Sequence, residues 1–355
     1  MPKKIILSRL SSLVLLGLIA SGCMFNPGAQ PVGWSGASFG KDAVFVGTRS
    51  GKIVALEAAT GNNIWSYPAG DEEIKPIYST PATSGDVVYV GGGNKKLLAL
   101  TASKGDKLWE VQTEGSPVSD ITAEGSSLLV GSSEGIIYAL DKATGRRLWN
   151  YVAKGILYST PVSDGHRVYF GTMYGQLVAL SLADGREVWT FKAQGAIASA
   201  PAVHDGRVYV GSFDRNFYAV EASSGRVTWK APTANWIWNR AIVSGNLVMV
   251  GSLDHKVYAF SRFSGEPQWS FLADDALRSD PALHENTLVV AAKNGKVYGL
   301  DVFTGTKRWE YEVNTGVVAP IKIKGGVAYV PALNNNMYAL DVSSGALRWS
   351  KSLQK

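Results

Sequence analysis

Apolar and polar residues along the chain fall into short runs separated by turns that end in glycine. Residues 158–189, YSTPVSDGHRVYFGTMYGQLVALSLADGREVW, show the pattern in one copy. HRVYFG, QLVALS and EVWTF are rich in β-branched and aromatic side chains, and Asp-Gly, Tyr-Gly and Asp-Gly stand between them. Such spacing predicts strands joined by tight hairpins at intervals of roughly ten residues. No segment after the N-terminal leader keeps a helical apolar period, so an all-β fold is expected.

The pattern repeats. Trp65, Trp109, Trp149, Trp189, Trp229, Trp269, Trp309 and Trp349 follow one another at 44 and then 40 residues. Four residues before each stands a glycine, from Gly61 to Gly345, and ten residues before each stands alanine, or Gly299 in the seventh copy. Each unit therefore holds four strands, A to D, with the tryptophan on strand D. One antiparallel sheet of ~40 residues cannot bury both faces alone, so units stack, and radial closure into an eight-bladed β-propeller is the expected outcome. The tryptophans are read as architecture, large apolar plates between neighbouring sheets.

The N-terminus does not share this period. MPKKIILSRL carries positive charge, SSLVLLGLIA is apolar, and Ala20-Ser21-Gly22 precede Cys23, the only cysteine in the chain. The run is too short for a membrane-spanning helix and has the order of a secretory signal. These residues resemble a bacterial lipobox, which implies a lipoprotein signal peptide over 1–22, a lipidated Cys23 and a palmitate-type membrane anchor. Residues 24–32 (MFNPGAQPV) then form a tether reaching at most about 30 Å. The propeller is assigned to 33–355. Met24 after the cysteine favours an outer membrane over inner-membrane retention where the cell has two membranes; where it has one, the anchor lies on the outer face of the cytoplasmic membrane. The formal charge of +6 falls to 6 − 3 = +3 once Lys3, Lys4 and Arg9 of the leader are removed. No clustered basic stripe of the kind that binds nucleic acid is expected.

ALDKATGRRLW and GLDVFTGTKRW, ending at Trp149 and Trp309, resemble the tryptophan-docking motif of the pyrroloquinoline quinone (PQQ)-like repeat propellers. The resemblance runs over essentially the whole chain after the leader. That family includes quinoprotein alcohol dehydrogenases and BamB-type outer-membrane assembly lipoproteins, and the lipobox makes this chain more similar to the latter. The resemblance implies a scaffold for protein–protein interaction, with the barrel-inserting component of outer-membrane assembly as partner. One departure stands out: in BamB-type proteins an N-terminal stretch commonly completes the last blade, whereas RWSKSL at 348–353 already supplies an eighth strand D. Ring closure here is expected from face packing between first and last blades.

Enzymatic chemistry is not expected. The dehydrogenases of the family use the quinone, a calcium ion, a catalytic Asp and a vicinal cysteine pair, and no cysteine follows Cys23. His166, His204, His255 and His284 occur singly on different units, a poor arrangement for a shared metal. Asp141, Asp301 and Asp341 belong to the repeated turn and are read as turn-capping carboxylates. A monomeric propeller with no cofactor and no metal is expected. The alternatives are a ligand-binding or sensory lipoprotein that uses its central channel for PQQ or another planar ligand, and, more distantly, a PQQ-dependent dehydrogenase.

Function is expected where the copies differ without a packing reason. With strand A aligned on the proline of PVSDG, the column two places earlier reads Ser35, Ser79, Ser119, Ser159, Ser199, Asn239, Ser279 and Ala319. The column before that reads Trp34, Tyr78, Val118, Tyr158, Ala198, Trp238, Arg278 and Val318. The column just before the proline carries Arg240 and Asp280 on adjacent units, an expected pair. Strand A of blade 6, within TANWIWNRAIVSG, thus concentrates Trp236, Trp238, Asn239 and Arg240. With Arg278 they form the candidate interaction surface, and the insertion DEEIKP at 71–76 marks a second, acidic loop.

Overall fold

The computed structural model describes residues 35–69, 75–153 and 155–353. The signal segment, Cys23, the tether, Trp34 and Asp71 to Ile74 of the acidic insertion lie outside them. Among the described residues the chain forms eight four-stranded antiparallel sheets and no helix. Each sheet runs in sequence order from A to D, and the blades span 37–67, 82–112, 122–152, 162–192, 202–232, 242–272, 282–312 and 322–352. The expected eight-bladed propeller is the observed fold.

Strands B and C are buried on both faces, which is why they read as nearly continuous apolar runs. Tyr169, Leu177 and Ala179 of blade 4, for instance, pack against Val208, Val210 and Val220 of blade 5. Every other interface between blades repeats this layer. A β-bulge between strands C and D sets each docking tryptophan opposite the residue ten places earlier, as in Ala179↔Trp189 and Gly299↔Trp309. The small residue in that column leaves room for the indole.

The eight indoles then reach forward. Each Nε1–H donates to a backbone carbonyl of the next blade, as from Trp149 to Leu182 (2.9 Å) and Trp189 to Ala222 (2.9 Å). Each plate lies on the next blade's repeat glycine. A Cβ built on Gly185 would stand 2.6 Å from Trp149 Cε3, and Gly185 has φ +72 as well. This glycine therefore answers two demands at once, a left-handed turn and a floor for the neighbouring indole. The Asp of the same turn caps it: Asp141 Oδ1 accepts from the backbone N–H and hydroxyl of Thr144, and Asp301 from Phe303 and Thr304 N–H.

Closure follows the expectation from the C-terminal strand. Blades 1 and 8 remain separate sheets and share no strand. Trp349 Nε1–H donates to Ala58 O at 3.0 Å, as every other indole does to its neighbour, and Phe39 packs on Tyr329 with centroids 5.1 Å apart. Lys324 adds a bond from its ammonium to Gly40 O. The ring is held by one more copy of the standard seam plus this lysine.

Candidate functional site

Strand A is the innermost strand of each blade, and it is shorter than the sequence pattern suggests. In blade 6 it spans only Ile242–Ser244. Trp236, Trp238, Asn239 and Arg240, expected on the strand, lie instead in the connection that enters it. The reason is where their backbone groups bond. Leu253 N–H donates to Trp236 O (2.9 Å) and Arg240 N–H to Asp280 Oδ1 (2.7 Å), so this stretch is tied to the B–C turn of its own blade and to blade 7. Ile237 between them is fully buried against Gly211 of blade 5.

Three serines of the column, Ser35, Ser119 and Ser159, accept from the glycine that ends strand B, whereas Ser79 and Ser199 donate to the carbonyl of that glycine. Ser119 and Ser159 accept from the N–H of Gly131 (2.8 Å) and Gly171 (2.9 Å), and Ser159 donates onward to Ser199 O of the next blade (2.8 Å). Asn239 does the same with a longer arm. Its Oδ1 accepts from Gly251 N–H (3.1 Å) and its Nδ2–H donates to Leu277 O (3.3 Å). With 1% of its surface exposed, Asn239 fastens blade 6 to the approach of blade 7 and offers nothing to a partner.

The expected Arg240–Asp280 pair is made through the backbone. Asp280 takes the Arg240 N–H, whereas among the described residues the Arg240 guanidinium has no ion pair. The same link recurs round the axis: Thr80 N–H donates to Asp120 Oδ1 (2.7 Å) and Asp120 N–H to Thr160 Oγ1 (3.2 Å). Burial pushes the Asp280 carboxyl above its ordinary range, against the Arg240 N–H and the Lys322 charge, and Asp120 pushes the same way as burial.

Trp236, Trp238 and Arg278 do come together. Trp236 is 43% exposed and stacks face to face on Phe213 of blade 5, centroids 4.6 Å apart and planes within 3°. Phe213 lies at 5.1 Å from Trp238, which meets Tyr158, in the connection entering blade 4, at 6.3 Å. The Arg278 guanidinium covers the Trp238 ring at 4.3 Å, a cation–π contact. Burial pushes the Tyr158 phenol up, with Arg278 acting in the opposite sense.

Two further apolar side chains are exposed at the corresponding turn and connection of blade 4. Tyr174, 62% exposed in the B–C turn of blade 4, lies over Gly155, and the adjacent Ile156 is exposed too. Phe213, Tyr174 and Ile156 were not among the residues expected from sequence. The first two carried a legible signal. Aligned B–C turns place Arg49, Gly93, Ser133, Met173, Leu253, Lys293 and Leu333 where blade 5 has Phe213. They place Ser50, Asn94, Glu134, Asp214, Asp254, Asn294 and Asn334 where blade 4 has Tyr174. The aromatic side chains thus gather on the connection face of blades 4 to 6.

No cysteine lies within 35–353, and among the described residues no three His, Cys, Asp or Glu side chains gather as a metal site.

Comparison with solved structures gives several matches of the whole propeller. BamB from Moraxella catarrhalis superposes with a TM-score of 0.70 at 22% identity, covering 88% of this chain and 92% of that one. The computationally designed Ika8 protein gives 0.76 at 17% identity, with 86% and 94% covered. Saccharomyces cerevisiae Sqt1 gives 0.75 at 11% identity, with 85% and 93% covered. At these identities the likeness is one of fold. No curated protein sequence matches the chain. The family described as outer membrane protein assembly factor BamB matches at residues 23–155, 133–270 and 253–355. These matches run without a gap from residue 23 to the last, and the chain belongs to the outer membrane protein assembly factor BamB family.

Proposed function

We propose that the chain is a non-catalytic scaffold, held at a membrane through lipidated Cys23, that binds a protein partner on the connection face of blades 4 to 6. In an envelope with two membranes it sits on the periplasmic face of the outer one, and the partner is the barrel-inserting component of outer-membrane protein assembly. The description of the family supports that role. Within this chain, the carrying observation is Trp236, an exposed indole stacked on Phe213 and backed by Trp238 and Arg278. A large aromatic held rigid in solvent loses little entropy on binding, and Trp, Tyr and Arg are the side chains that anchor interfaces.

The test is capture of the purified barrel-inserting component on the immobilised chain. Trp236→Ala should weaken capture about tenfold or more, the scale of an interface anchor, and leave the thermal midpoint nearly unchanged. A large drop in the midpoint would assign Trp236 to packing. Unaltered capture by a folded variant would remove this face from the interface.

A further inference from the structure

A cavity of about 360 Å³ runs along the inner strands of blades 5 to 8, from Arg240 and Asp280 to His204 near the A–B turns. Its size falls within the range of small-molecule sites. Ala202 and Ala282 line it where Ile242 and Lys322 stand on the alternate blades. Ile242, Val243, Lys322 and Ile323 keep partial exposure, so solvent reaches it. Its charged lining comprises Arg240, Lys322 and Asp280, together with His204. Two fixed cations stand against Asp280 in the lining, and Asp120 adds a second negative charge from nearby.

Both cations act through space on Asp280, but neither is fixed by a close partner. Among the described residues neither Arg240 nor Lys322 forms an ion pair or a side-chain hydrogen bond. Arg240 touches Asp280 through its backbone N–H, which leaves the guanidinium fork available. Some cations of the turns and outer strands do pair: Arg308 binds Asp301 and Arg348 binds Asp341, both at 2.6 Å. An arginine and a lysine lining one open cleft, beside the apolar Ile242, Val243, Leu283 and Ile323, match an oxyanion with a small carbon body.

We propose that the axial cavity is a binding site for a small oxyanion, a carboxylate or a phosphate, held between Arg240 and Lys322. Asp280 lines the same space and repels an anion. Its bond to the Arg240 backbone keeps it at the wall, where it sets the position of Arg240. The site meets the connection that carries Trp236 only at Arg240 and extends from there along strands A, without Trp236, Trp238 or Phe213 in its lining.

Calorimetric titration of the full chain with inorganic phosphate and, separately, with citrate tests this. Saturable heat with either probe is expected, and which of the two gives it separates a phosphate from a carboxylate ligand. Arg240→Gln and Lys322→Gln should each weaken binding about tenfold, as loss of one charge-assisted contact does, while Arg240→Lys restores most of it. Trp236→Ala should bind both probes like the unaltered chain. Absence of saturable heat with both probes at millimolar concentration would overturn the proposal, as would binding that survives Arg240→Gln and Lys322→Gln. Circular dichroism verifies that each variant is folded, and Lys322→Gln carries the test if Arg240→Gln is not.

Discussion

The seams between blades and the axis that the blades enclose follow opposite rules. At the seams, eight copies of one contact recur with the same partners: an indole, a glycine beneath it and a backbone carbonyl of the next blade. Around the axis the equivalent positions hold serine, asparagine, arginine, aspartate, alanine and proline. Repetition marks what every blade must do to stand beside its neighbour. Irregularity marks what only one place in the ring does, and there a packing role and a binding role must be separated residue by residue.

The largest expected effect lies in the seam. Trp149, buried between blades 3 and 4, should cost about 3–5 kcal/mol when replaced by Ala, read from equilibrium unfolding in denaturant. Two glycines of blade 4 sharpen the reading. Gly185 and Gly165 both have left-handed φ, +72 and +88, but a Cβ on Gly165 would meet nothing within 4 Å, whereas on Gly185 it would strike Trp149. Both Gly→Ala changes strain the turn by about 1 kcal/mol, and Gly185→Ala should lose substantially more. Equal losses would show that the docking floor adds nothing to the turn.

These seams are the part of the molecule that was legible in the sequence. A Trp with Gly at −4 and Ala at −10 spells out a physical contact, because each residue type is the one that fits: plate, floor and facing gap. The axis was legible only in part. Subtracting the repeat found Trp236, Trp238 and Arg278, which do gather, but it placed them on a strand. Backbone bonds to neighbouring blades, invisible in one copy of the repeat, end strand A early. Phe213 differs from its column too, but that column lies in the B–C turns and not on strand A. Asn239 was read as a surface residue because its type is rare in its column. Its hydrogen bonds show a serine's task done over a greater distance.

Asn239 offers the next, smaller break. Asn239→Ala leaves Gly251 N–H buried without its acceptor, a loss of about 1–3 kcal/mol in the same unfolding experiment. Asn239→Ser restores the residue of six other blades and should recover most of that loss. A serine variant as weak as the alanine would mean that the reach to Leu277 O, and not the bond to Gly251, is what blade 6 needs.

The smallest effect is expected at Asp280, where the two kinds of carboxylate in the ring are set against each other. Arg308 beside Asp301 and the turn N–H groups hold that carboxyl down at about 2. Asp280 goes the other way, because burial outweighs the donors around it. The signs follow. A carboxyl depressed in the folded chain stabilises it above the ordinary value of 3.8, and that share is lost as the pH falls through the folded value. A raised one binds its proton more tightly when folded, so Asp280 costs stability at neutral pH. The cost is relieved as the pH falls through its folded value towards 3.8. Asp280→Asn keeps an oxygen for the Arg240 N–H and removes the charge. The variant should therefore unfold at a slightly higher temperature at neutral pH, and its advantage should shrink as the pH is lowered towards 3.8. An advantage that does not change with pH would show that the amide packs better there, and that the buried charge costs nothing.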